Sequence, residues 1–249
     1  MHSEPGRRWR WLSFGSLGIM CIRQTQINKA FVSFTLTCLV IGGTFGDVAS
    51  RCNAAIIYPK APDGGRQVVY KYLEADLKPK TVLDFLGVSR IEDLTIAEPY
   101  GDYGVDALTN LASGQFLSKV KLYSWRYLLM HGTDTVGAMV LNADEKRGKL
   151  LKFSSLDKTD FSKETLEALR MAEQLPQVKK QDYEIRRLDC PSILFVAVWL
   201  HGKSDDIIIP LPPTWARWTA YQPYSESQMA KLLKPEAEKK MKELPGMID

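Results

Sequence analysis

Cysteine is scarce where a small exported domain would need it. Three of the four cysteines, Cys21, Cys38 and Cys52, fall in the first 54 residues, and only Cys190 lies beyond them. One thiol cannot pair within its own chain, so residues 55–249 are expected to rest on a hydrophobic core, with no disulfide framework. Net charge is lacking in the same region. Of 33 basic and 29 acidic residues, residues 1–54 hold six and two, which leaves 27 of each sign. A neutral body has no electrostatic footprint for nucleic acid, so none is expected as a partner.

The spaced motifs of metal and phosphate chemistry are also missing. His131 and His201 are the only histidines after the leader, and no HxH, HxxH or HExxH occurs. A zinc site needs three or four ligands at fixed spacing. Gly101, Gly104, Gly114 and Gly132 are scattered over expected turns and form no phosphate-cradling loop. No internal repeat is present. The sequence therefore implies no cofactor.

Long apolar runs are limited to one. Residues 30–46, AFVSFTLTCLVIGGTFG, are uncharged, and Arg23 and Lys29 stand just before them. A positive segment, an apolar run and small residues beyond it read as an export signal. Cleavage is expected after Val48-Ala49-Ser50 or after Cys52-Asn53-Ala54. A start at Met20 gives such a signal ordinary proportions, while Arg7 and Arg8 offer a twin-arginine alternative. The structural alternative is an uncleaved anchor, but 17 residues are near the lower limit for crossing a bilayer. Gly42, Gly43 and Gly46 weaken that helix further. The expected location is exported (periplasmic, secreted or cell envelope), with anchoring by residues 30–46 as the alternative.

The rest divides into a linker over 55–66, punctuated by Pro59, Pro62, Gly64 and Gly65, one domain over 67–234, and a charged helix or tail over 235–249. Gln67–Glu74 reads as a strand and Thr81–Val88 as a short helix. Glu98–Gly104 (EPYGDYG) reads as a loop and Val105–Ala112 as a short amphipathic helix. From Lys119 the pattern turns to strands, over 119–130, 135–143 and 149–154. Leu166, Leu169, Ala172 and Leu175 give the apolar stripe of a helix over 163–175. Residues 182–188 alternate and should be half exposed. Residues 193–200 (ILFVAVWL) are apolar on both faces, the pattern of a central covered strand. A strand over 206–211 follows. Ser225 and Gln228 form a capping box for a last helix. The fold class is α+β, an antiparallel β-sheet with a helix packed across one face, short N-terminal helices and a C-terminal helix, preceded by an export signal.

Four groups of residues invite chemistry. Cys190, Asp189 and His201 are the types of a thiol triad, but the intervening strand holds Cys190 and His201 far apart. His131 and His201 each sit at a turn before a glycine, and with Asp134, Asp205 and Asp206 they are the only candidates for a metal. Glu98, Asp102, Asp106, Asp205 and Asp206 supply carboxylates of the kind a glycosidase pairs, and carboxylates at turns are also the commonest solvated residues. Trp215, Arg217, Trp218, Tyr221 and Tyr224 crowd an aromatic loop whose rings offer contact area for a ligand. An aromatic loop between prolines equally often covers a sheet edge.

The function these residues imply is a non-catalytic binding or interaction domain, for a glycan, peptide or protein partner, with the aromatic loop as its site. The competing readings are an envelope hydrolase using carboxylates and a metal, and a membrane-anchored structural protein. A homo-oligomer is a further expectation, because strand 193–200 needs both faces covered.

Overall fold

Val69 and Leu73 stand four residues apart and are both fully buried. Lys71 between them is exposed, which strand alternation does not allow, so this segment is a helix where the sequence predicts a strand. The computed structural model describes residues 55–76, 79–105, 107–114, 116–142, 152–157, 160–214 and 217–243, all within the unit Ser50–Asp249. The export run, its cleavage sites, Asp106 and Trp215 lie outside the described residues.

The elements in chain order are β1 (Ile56–Ile57), α1 (Gly65–Lys71) with a π-helical turn over Tyr72–Asp76, α2 (Pro79–Leu86), β2 (Leu94–Ile96), β3 (Tyr100–Gly104), α3 (Leu108–Ala112), β4 (Lys121–His131), β5 (Asp134–Asn142), β6 (Lys152–Asp157), α4 (Asp160–Ala172), β7 (Tyr183–Cys190), β8 (Phe195–Gly202), β9 (Asp206–Pro210), β10 (Tyr224–Ser225) and α5 (Glu226–Glu243). The correction at 67–74 has a plain cause. Val68, Val69, Tyr72 and Leu73 satisfy a period of 3.6 as well as a β-rich composition, and only the helix brings all four to one cluster.

The strands form one sheet in the order β10-β9-β8-β7-β3-β4-β5-β6, with β1 also on β7 and β2 also on β4. Its pairings are antiparallel except that β1 and β3 run parallel to β7. The sheet is therefore mostly antiparallel, and the overall class is α+β. The second correction concerns residues 98–104. Most of this expected loop is β3, placed at the sheet centre between β7 and β4. Its glycine content, which reads as a turn, comes from crowding. A Cβ on Gly101 would stand 2.7 Å from both Leu122 Cδ1 and Tyr103 Cε2.

One face of the sheet carries α4 over Ile185, Val198, Leu200, Ile207 and Ile209. The opposite face carries two clusters. α1 and α2 cover Trp125, Tyr127, Leu129 and Met139. α3 and α5 cover Leu188, Phe195, Ala197 and Ile208. β8 is thus sheathed on both sides by its own chain, as its continuous apolar run requires. α5 begins at a formed capping box, in which Ser225 N–H donates to Gln228 Oε1 at 2.9 Å and Gln228 N–H to Ser225 Oγ at 3.3 Å.

Candidate functional site

On the α4 face the apolar cover stops short, and the exposed sheet carries charge. Register sets Arg187, Asp102, Ser124 and Asn142 side by side on β7, β3, β4 and β5. Arg126 lies two residues along β4 from Ser124, and Asp189 two residues along β7 from Arg187, so all share this face. The Asp102 side chain is 1% exposed and those of Arg126 and Arg187 are 8% exposed. A carboxylate at that depth needs partners, and it has them. Arg126 Nε donates to both of its oxygens, at 3.2 and 3.1 Å, and Ser124 Oγ donates at 3.0 Å. Arg187 Nη1 stands 3.7 Å away.

Each arginine then reaches outward to a second carboxylate. Arg126 Nη1 donates to Asp157 Oδ2 at 2.9 Å, and Arg187 Nη2 pairs with Asp189 Oδ2 at 3.2 Å. Asp157, Arg126, Asp102, Arg187 and Asp189 form an unbroken ladder of alternating charge. Burial alone would lower the pKa of Arg126. The Asp102 charge and the hydrogen bonds that Arg126 donates to Asp102 and Asp157 outweigh that and raise it above the ordinary arginine value.

The ladder floors a cleft of ≈ 420 Å³, within the usual range for small-ligand sites. Two β-bulges shape its walls. Between β3 and β4 the register slips after Asp102, leaving Tyr123 as the extra residue. Between β5 and β6 it slips after Val140, leaving Ser154 as the extra residue beside Ser155. Each bulge adds a side chain to the lining of the cleft. Tyr123 donates to Asp189 Oδ2 at 3.3 Å. Its ring passes over Gly104, where a Cβ would stand 3.0 Å from Tyr123 Cε1. Phe161 of α4 closes the remaining wall, 5.9 Å from the Arg187 guanidinium carbon.

Three buried side-chain polar atoms among the described residues have no partner: Arg187 Nε, Tyr100 Oη and Ser162 Oγ. Tyr100 precedes the ladder on β3, and Ser162 follows Phe161 on α4. Burial pushes the Tyr100 phenol up to about 12.

The residues expected to act from sequence fall elsewhere. Trp218 is 4% exposed and packs edge-on to Phe195 at 5.1 Å, so its ring serves the core. Tyr224 packs on that same cluster, while Tyr221 packs on the α4 side of the sheet. The described members of the aromatic loop therefore present no common surface. Arg217 is exposed, 3.5 Å from Glu236. Tyr221 holds a left-handed φ of 62°, and its N–H donates to Pro210 O at 2.8 Å.

His131 and His201 end the parallel-running strands β4 and β8, but β3 and β7 intervene. Three strand spacings keep them about 14 Å or more apart. His201 Nδ1 instead meets Asp206 Oδ1 at 2.8 Å, which also accepts from Trp199 Nε1 at 2.8 Å. Asp205 accepts from Tyr183 Oη at 2.7 Å, and Glu98 pairs with Arg66 at 2.8 Å. Among the described residues no group of three or more His, Cys, Asp or Glu is placed to hold a metal ion. Cys190 pairs in register with Phe195, and His201 with Glu184, which separates thiol and imidazole by about 20 Å.

Of the ladder, sequence reasoning singled out Asp102 only as one of several carboxylates and Asp189 only beside Cys190. Arg126, Arg187, Ser124 and Asp157 were missed. The available signal was charge inside a strand. Arg126 shares a face with Leu128, which is buried, and a charge in such a row must be paired. No described helix is long and apolar enough to cross a membrane. Comparison with protein-family models, curated proteins and solved structures returns no match.

Proposed function

We propose that this chain is an exported, non-catalytic binding domain whose ligand site is the cleft over the charge ladder. The observation that carries the reading is the pair of bulges flanking the ladder. Each spends an extra residue to bring Tyr123 or Ser154 to the cleft, at the cost of local pairing. Stability alone gives no reason to bury three charged groups in line, Asp102, Arg126 and Arg187, because well-packed apolar residues of similar volume do as well or better. The ladder instead holds polar groups rigidly at the floor of a cavity, which is what selective recognition requires. Export rests on the sequence of residues 30–46 and its flanks.

Catalysis has less support. The cleft carboxylates serve as partners of arginines, and His201 lies on the opposite face, bonded to Asp206. A thermal-denaturation screen of small polar molecules tests the binding reading. A molecule that binds only the folded state raises the midpoint, and the rise should vanish in Asn142→Ala. A rise retained in that variant, or the absence of any rise across the screen, would count against the cleft.

A further inference from the structure

Resting on the reading of the cleft as a binding site, we infer that its ligand is an uncharged polyhydroxylated molecule, an oligosaccharide of two or more rings. The charge count comes first. Three carboxylates against two guanidiniums leave the ladder with one excess negative charge, which opposes a free anion. Arg126 already spans two carboxylates, through Nε and Nη2 on Asp102 and Nη1 on Asp157. Its charge is compensated by them, which leaves little attraction for a phosphate or carboxylate.

What remains available is a mixture of acceptors and donors. Asp157 and Asp189 each take an arginine on Oδ2, and no described donor reaches the other oxygen. Their side chains are 24% and 18% exposed at the cleft. Hydroxyl groups donate to such oxygens. Asn142 and the paired Ser154 and Ser155 both donate and accept, which suits groups that do the same. Arg187 Nε, buried and without a partner beside the cleft, is a donor that a hydroxyl oxygen satisfies.

The walls supply the second half of the argument. Tyr123 is 42% exposed although it is tied to Asp189, and Phe161 stands opposite the sheet. An aromatic face beside fixed polar groups matches a sugar ring, which is apolar on its C–H faces and polar around its rim. The strands that carry the two outer carboxylates, β6 and β7, lie four spacings apart, about 19 Å between backbones across a flat sheet. A floor that spans five strands suits linked rings better than a single one.

The test is calorimetric titration of the full chain with cellobiose, maltose and diacetylchitobiose, beside spermidine as a cation and citrate as an anion. An uncharged disaccharide should bind, and Tyr123→Ala and Asn142→Ala should each weaken it about tenfold, the loss of one hydrogen bond or one stacking contact. Their urea midpoints show that the fold is intact. Binding of spermidine or citrate in place of the sugars, abolished by Asn142→Ala, overturns the ligand class and leaves the site standing. Sugar binding indifferent to both substitutions overturns the placement. Failure of all five probes to bind overturns the inference, while the thermal screen judges the site independently.

Discussion

Asp102 and Arg126 face each other from the adjacent strands β3 and β4 in an ion pair of 3.1 Å, with side chains 1% and 8% exposed. Removing the carboxylate leaves Arg126 and Arg187, both largely buried, with Asp157 and Asp189 as their remaining anionic partners. Asp102→Ala is therefore expected to lose about 3–5 kcal/mol in urea denaturation. The exposed pair Lys80–Asp84, at 3.0 Å, offers a control, since Asp84→Ala should change stability by under about 1 kcal/mol.

Tyr100 is the opposite case. Its hydroxyl is buried beside Thr165 but meets no partner in good hydrogen-bond geometry, so Tyr100→Phe should be neutral or slightly stabilising near neutral pH. The same burial holds its proton tightly, from an ordinary value of 10.0 up to about 12, and Tyr127 is likewise pushed to about 12. The native state binds the protons more strongly than the unfolded chain does. The associated stability is whole below pH 10 and is lost as pH rises toward about 12. Urea midpoints measured across that window should fall in the native protein and fall less in Tyr100→Phe.

Gly104 makes room for the ring that walls the cleft. In Gly104→Ala the new Cβ would meet Tyr123 Cε1 at 3.0 Å and Cδ1 at 3.3 Å, so the ring must give way and its bond to Asp189 must lengthen. A stability loss of about 1–3 kcal/mol is expected from the crowding. Ligand affinity should fall with it, as calorimetry of the same variant would show.

Cys190 tests the rigidity of the sheet beside the cleft. The thiol is 1% exposed, and burial pushes its pKa up, so little thiolate forms and a reagent has no path to it. With Cys21, Cys38 and Cys52 replaced by serine, labelling by a thiol reagent should be slow in the native protein. It should accelerate in proportion to unfolding as urea is added.

Much of the sheet was legible because its strands alternate or run apolar, as in residues 119–130, 135–143 and 193–200. The helix α4 declared itself through Leu166, Leu169 and Ala172. Two segments misled for physical reasons. Residues 67–74 fit both periods, and the exposure of Lys71 between buried Val69 and Leu73 decides for the helix, since a strand would put all three on one face. Residues 98–104 look like a turn because Gly101 and Gly104 are needed to admit neighbouring side chains, and nothing local reveals those neighbours. The ladder was hidden for a related reason. Asp102 and Arg126 are 24 residues apart, and Arg126 and Asp157 are 31 apart. Each reads alone as a solvated charge, and only the register of five strands brings them together.

The most direct test of the central claim is amide-resolved NMR of the isotopically labelled protein during titration with cellobiose, maltose and diacetylchitobiose in turn. Shifts concentrated at Asp102, Tyr123, Ser124, Asn142, Ser155 and Arg187 are the expected result. Shifts confined to the loop from Arg217 to Tyr224, or no shifts at saturating sugar, would contradict the account.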